Sequence, residues 1–150
     1  MSRRPQYRQL TWEQVAEGDE LPAEVDHLDV ERVVATAAST WTFFGGHIDG
    51  EYARTAQGRS HIYMATGPIL GLLDRYATAW VGPEAFLAKR SMRMVESLCA
   101  GDELRFEGCV SKKWIDDSRG YNRRLIEIDL KIRNGADKAC VLATAVYELP

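Results

Sequence analysis

The hydrophobic pattern changes period part-way along the chain. From Asp29 onward the apolar residues Val30, Val33, Val34, Ala37, Ala38 and Trp41 recur every three or four positions, the spacing of one helix face. Asp29 suits the N-cap, because its carboxylate can accept from the first free N–H groups of the helix. The pattern stops before Gly45-Gly46, which can take backbone angles closed to other residues. Asp49 is placed to cap a second, short helix carrying Tyr52 and Ala53, and a polar connection from Thr55 to Ser60 leads to a third. There Ile69, Leu72, Leu73, Tyr76, Ala77 and Trp80 again keep helical spacing. Pro68 suits the first helical position, where its missing N–H needs no partner, and Gly82-Pro83 ends the run. This helix is apolar on more than one side, as expected of a helix wrapped by a curved sheet.

The second half reads as strands. Leu87 to Val95 is one. Leu104, Phe106, Gly108 and Val110 alternate with polar residues, and Lys112 and Trp114 extend that phase. Asp116 to Gly120 is a charged turn. Ile126, Ile128, Leu130 and Ile132 alternate with Glu127, Asp129 and Lys131, and Asn134-Gly135 signals a hairpin. Cys140 to Leu149 is apolar on both faces, which predicts a central strand. Upstream, Trp12 and Val15 are predicted to tuck inward from a short helical turn, and Gly18-Asp19, like Gly101-Asp102, reads as a turn delivering the chain into a strand. Helices first and an antiparallel meander afterwards predict an α+β domain over residues 10–150, with residues 1–9 a loose arm. A single sheet of this kind has open edges, so pairing between subunits is expected, with a homodimer as the minimum unit.

Composition narrows the function classes. A chain of 150 residues fits one domain that needs no covalent staple. The net charge of −3 lacks the basic excess of a nucleic-acid binder, and Arg3-Arg4 reads as a solvated terminus. Cys99, Cys109 and Cys140 are odd in number and far apart, which argues against a disulfide framework or a structural zinc site. No apolar run approaches a membrane span, and MSRRPQYRQL lacks the apolar core of a secretory signal. A reducing, cytoplasmic setting is the expectation, with no metal, cofactor, nucleic acid or membrane partner.

The stretch His47-Ile48-Asp49-Gly50-Glu51-Tyr52-Ala53 resembles the MaoC-like acyl dehydratases, the (R)-specific enoyl-thioester hydratases of hot-dog fold, which carry His, any residue, Asp, an aromatic and Ala at this spacing. Gly58-Arg59-Ser60 followed by Thr66-Gly67 and Leu70 is similar to their loop into the central helix. Phe86 through Gly101-Asp102-Glu103-Leu104 is similar to the strand ending in their Gly-Asp turn, and Val146-Tyr147-Glu148-Leu149-Pro150 to their usual ending. The resemblance implies a hot-dog domain, a long antiparallel sheet around a central apolar helix. It also implies hydration or dehydration of a (3R)-hydroxyacyl or trans-2-enoyl thioester, carried by coenzyme A or a carrier protein. The chain departs from the family where an Asp usually stands five residues before the histidine, with Asn-Pro between: Thr42, Phe44 and Gly45 occupy those positions. The family's His-Gly before the central helix is here Thr66-Gly67.

That chemistry needs a base for water, an acid for the α-carbon, and donors to the thioester oxygen. His47 is the candidate base, and Gly67 can present its N–H at a helix start. Asp49 is first an N-cap and otherwise a replacement carboxylate. Arg59, His61 and Tyr63 are pocket candidates, as is Thr42. Trp41, Phe43 and Phe44 either fill the core, narrow an acyl tunnel or stack on a ring substrate. His27 reads as a surface residue. The absent Asp leaves two alternatives to a hydratase. One is a non-catalytic hot-dog subunit paired with a catalytic hot-dog partner. The other is a repurposed pocket catalysing cyclisation or elimination in a secondary pathway.

Overall fold

The computed structural model describes residues 8–150; most of the expected N-terminal arm, with Arg3-Arg4, lies outside them. The strands are β1 (Glu20–His27), β2 (Phe86–Met94), β3 (Glu103–Asp116), β4 (Arg123–Arg133) and β5 (Ala139–Glu148). The helices are α1 (Val30–Ser39), α2 (Gly45–Ile48), α3 (Gly50–Thr55) and α4 (Thr66–Val81), and a 3-10 turn spans Trp12–Gln14. All pairings are antiparallel, in the order β1-β3-β4-β5-β2. This is the expected α+β hot-dog domain. β4 holds the middle of the sheet, and β5, the expected central strand, is an interior neighbour.

Strand register decides which side chains meet α4. Phe106 faces Ile132, Val110 faces Ile128, Ile128 faces Ala145, and Ile126 faces Tyr147, so one sheet face is continuously apolar. Ile69, Leu73, Tyr76, Ala77 and Val81 of α4 are buried on that face, with Tyr76 stacked 5.5 Å from Phe106. Leu72 and Trp80 keep the same helical spacing but are only half-buried at the edge of the contact. Gly108 allows a close approach: a Cβ there would lie 2.9 Å from a Leu21 methyl and 3.1 Å from a Leu130 methyl, which would have to shift.

Three local expectations change. Lys112 and Trp114 do not extend the phase of Val110. Ser111 is an extra residue in a bulge, so Lys112 pairs with Glu127 and Trp114 with Leu125 on the opposite face. Pro68 is the third helical residue, since α4 begins at Thr66 after Ala65; its missing N–H is equally harmless there, within the first four unpaired donors. Helix α1 ends at Ser39, and Trp41 leaves it in the left-handed region at φ 54°, so Trp41 does not share the buried face of Val33 and Ala37.

A strap holds the helical half against the sheet. Tyr63 bridges Cys99, Met64 N–H donates to Leu98, and Ala100 N–H donates to Ile62. Leu28 and the Gly101-Asp102 turn exchange two backbone bonds, tying the start of α1 to the start of β3.

Removing part of the α4 contact tests the fold: Leu73→Ala should cost about 2–5 kcal/mol in denaturant unfolding, by lost transfer energy and a cavity. Tyr76 gives a pH test. Burial, then Glu24 and Glu107, push its phenol up to about 12, and its hydroxyl donates to Pro22 O at 3.0 Å. A group raised in the folded state stabilises fully below its unfolded value, near 10, and loses that contribution as pH climbs through the folded value. Unfolding stability should therefore fall between about pH 10 and 12, and Tyr76→Phe should flatten that fall.

Candidate functional site

Phe44 precedes α2 in extended conformation, and the one-turn helix Gly45–Ile48 presents His47 inward. Glycine at 45 is a steric need, because a Cβ would lie 2.8 Å from the Tyr52 ring. His47 is only 8% exposed. Its Nδ1 lies 2.7 Å from the Tyr63 carbonyl oxygen. A carbonyl only accepts, so the neutral ring carries its proton on Nδ1 and leaves the Nε2 lone pair free. Nε2 makes no protein hydrogen bond among the described residues, where every fully buried side-chain polar atom has a partner. Nε2 is thus the accessible end of the ring. Phe44 and Tyr63 meet the ring edge-on at centroid distances of 5.6 and 5.0 Å.

The other candidates fall into distinct environments. Asp49 caps α3: its Oδ1 accepts from Glu51 N–H at 2.9 Å and Tyr52 N–H at 3.1 Å. Thr42, at the family's acid position, is half-buried, and its hydroxyl contacts Thr40 Oγ1 at 2.9 Å and donates to Thr40 O at 3.2 Å. Arg59 is ion-paired with Glu96 at 2.8 Å, and Glu96 also holds Lys138. His61 Nδ1 accepts from Ile62 N–H at 2.8 Å, a loop contact. Trp41 and Phe43 are 84% and 57% exposed and meet edge-to-face, while Phe44 is less exposed. They do not fill the core; with Ile48 and Tyr52 they form an exposed apolar rim along residues 41–52, in which Phe44 meets the rings of His47 and Tyr52. His27 is exposed at the end of β1.

Gly67 sits in the first turn of α4, whose N-cap, Ala65, supplies no side-chain acceptor. The nearest atom to a Cβ built on Gly67 is Thr40 Cγ2 at 3.9 Å, an ordinary contact. Packing within this chain therefore does not demand glycine there. Two participants carried no sequence signal. Thr40 joins Thr42 to the Gly67 surface, and the Tyr63 carbonyl is a backbone atom that no side-chain pattern reveals. A separate groove of about 1100 Å³ crosses the outer sheet face between Ser91, Arg93, Asp129, Lys131 and Thr144. It carries mixed charge and no histidine.

No family model matches the chain. A 79-residue segment, 53% of the chain, is 34% identical to 60% of the 3-oxo-4,17-pregnadiene-20-carboxyl-CoA hydratase beta subunit of Mycobacterium tuberculosis. The chain therefore matches less than two thirds of that relative's length. Among solved structures, the ChsH1-ChsH2 complex from Mycobacterium tuberculosis contains a chain that superposes with a TM-score of 0.78 at 28% identity, over 90% of this chain and 98% of that one. The (R)-hydratase PhaJ1 from Pseudomonas aeruginosa superposes equally well, with a TM-score of 0.78, over 95% and 86% of the two chains; at 21% identity this is a likeness of fold. With its helix-wrapping sheet and these matches, the chain has the hot-dog fold of the MaoC-like hydratases and dehydratases and is similar to them in sequence over part of its length.

Proposed function

We propose that the chain adds water to, or removes it from, an acyl thioester of the enoyl/3-hydroxyacyl type, with His47 as its proton-transferring group. The observation that carries the reading is the His47 ring, anchored at Nδ1 with Nε2 left free. In the hydration direction Nε2 takes a proton from water while the oxygen bonds to C3 of the enoyl group. The C2–C3 π electrons move toward C2 and the thioester carbonyl, whose oxygen gains negative charge. The Gly67 N–H, at the positive end of α4, is the donor this reading assigns to that oxygen. The imidazolium then returns its proton to C2, so atoms and charge balance with one acid–base group. Asp49 stays at its cap, because withdrawing its oxygen would leave two α3 donors unpaired.

The partner in this reading is a second hot-dog chain. The exposed aromatic rim is larger than isolated surface residues explain and is what a subunit contact would cover. The relatives named above include a beta subunit and a two-protein complex, which favours a hetero-oligomer, and a homodimer is the simpler form of the same contact. If the chain instead shapes the tunnel of a catalytic partner, His47 is dispensable and the rim is not. The cofactor-free reaction and cytoplasmic setting expected from the sequence remain part of the proposal.

Three outcomes test it. His47→Ala should lower kcat on a trans-2-enoyl thioester by about 10²–10⁴-fold with unchanged circular dichroism; full activity would remove His47 from the chemistry. Gly67→Ala should stabilise α4 by up to about 1 kcal/mol and yet lower kcat/KM, because the added methyl occupies open space beside the donor; unchanged kinetics would contradict the donor role. Light scattering, on the chain alone and with a co-expressed hot-dog partner, should give masses above the monomer's 16.9 kDa. The monomer mass in both samples would exclude the shared interface.

A further inference from the structure

Resting on the reading of His47 as the proton-transferring group, we propose that Tyr63 is its positioning residue, locked in place by Gly46, and that this clamp does the orienting work usually given to a carboxylate. Three contacts converge. Tyr63 N–H donates to Gly46 O at 3.0 Å. Tyr63 O accepts from His47 Nδ1 at 2.7 Å. The Tyr63 ring lies so close over Gly46 that a Cβ there would sit 2.5 Å from the phenol oxygen and 2.7 Å from Cε1 and Cζ. The first two contacts join consecutive residues of α2 to the same peptide segment, so the height of that segment sets the height of the carbonyl. The third leaves no room for a Cβ at position 46 unless the Tyr63 ring shifts. Tyr63 is itself held from behind by its bridge to Cys99, and Met64 by its bond to Leu98.

The consequence is chemical. A second partner for imidazole fixes which nitrogen carries the proton and which way the ring faces. A carboxylate does this and also stabilises the imidazolium; a peptide carbonyl does the first with little of the second. No carboxylate is bonded to His47 among the described residues, since Asp49 is committed to α3 and position 42 is threonine. The ring is therefore held as the Nδ1–H tautomer by backbone geometry alone. That geometry depends on a glycine with no space for a methyl group.

The test reads the tautomer directly. Long-range ¹H–¹⁵N correlation spectra of the histidine rings, assigned with a His47→Gln control, should show His47 Nδ1 as the protonated, pyrrole-like nitrogen and Nε2 as the pyridine-like one. Tyr63→Phe keeps the ring and the carbonyl and should keep this signature. Gly46→Ala should abolish it, giving a mixture of tautomers, and should lower kcat more than it raises KM. Gly46→Ala combined with Tyr63→Ala removes the colliding ring and should bring the Nδ1–H signature back, which a general folding defect at position 46 would not do. A parent protein whose His47 is protonated on Nε2, or a Gly46→Ala protein with an unchanged His47 spectrum, overturns the clamp. If Gly46→Ala does not fold, the double variant decides: a folded protein with the Nδ1–H signature supports the clamp, and one that also fails to fold overturns it. The tautomer is visible without turnover, so an Nδ1–H His47 in a protein inactive on every enoyl thioester would sink the proposed activity and leave the clamp standing.

Discussion

The structure depends on the burial of α4 against one face of the sheet. Ile69, Leu73, Ala77 and Val81 give the helix a continuous apolar stripe, and Phe106, Ile126, Ile128 and Ile132 give the sheet a matching face. Each fully buried Ile, Leu, Val or Phe among them is worth about 1.5–3 kcal/mol, so this contact outweighs any polar interaction in the molecule. It also fixes where the site can be. Once α4 lies in the sheet, its N-terminus and Gly67 are held at one end of the domain. The strap from Ile62 to Met64 must then run past Leu98 and Cys99 to reach it. His47 hangs from that strap through the Tyr63 carbonyl.

The second constraint is where the carboxylates go. Asp29 and Asp49 both cap helices, satisfying donors that α1 and α3 would otherwise leave unpaired. Position 42 lies just past the end of α1, beside its terminal carbonyls, and Thr42 N–H donates to Ala37 O there. A carboxylate at that place would face the negative end of the helix dipole, and threonine avoids that repulsion. The chain thus keeps a histidine with a free nitrogen and replaces acid-based orientation by backbone orientation. A proton transfer that begins and ends on one imidazole is compatible with that exchange.

Much of the fold was legible because its signals are local. Asp29 and Asp49 as caps, the Asn134 hairpin and the alternation from Leu125 to Ile132 each follow from the chemistry of a few neighbouring residues. The bulge at Ser111 was not legible: Lys112 and Trp114 continue the i, i+2 spacing, and only their partners across the ladder reveal the extra residue. Trp41 misled in a similar way, since it continues the apolar spacing of α1 after Thr40 N–H and Trp41 N–H have closed the last turn. At the candidate site His47 was singled out by its motif. Its anchor was not, because it is a backbone oxygen sixteen residues away. The surroundings of Gly67, where nothing in the chain demands a glycine, also needed the three-dimensional arrangement of α1 and α4.

Isotope transfer from water tests the central claim most directly. The protein, alone and with a second hot-dog chain, would be incubated with a trans-2-enoyl-coenzyme A in ¹⁸O-labelled water and the product acyl group weighed. His47-dependent hydration predicts one ¹⁸O atom in a new hydroxyl at C3, present with the parent chain and lost with His47→Gln. Absence of label under every pairing, or equal labelling by the parent and His47→Gln proteins, would contradict it.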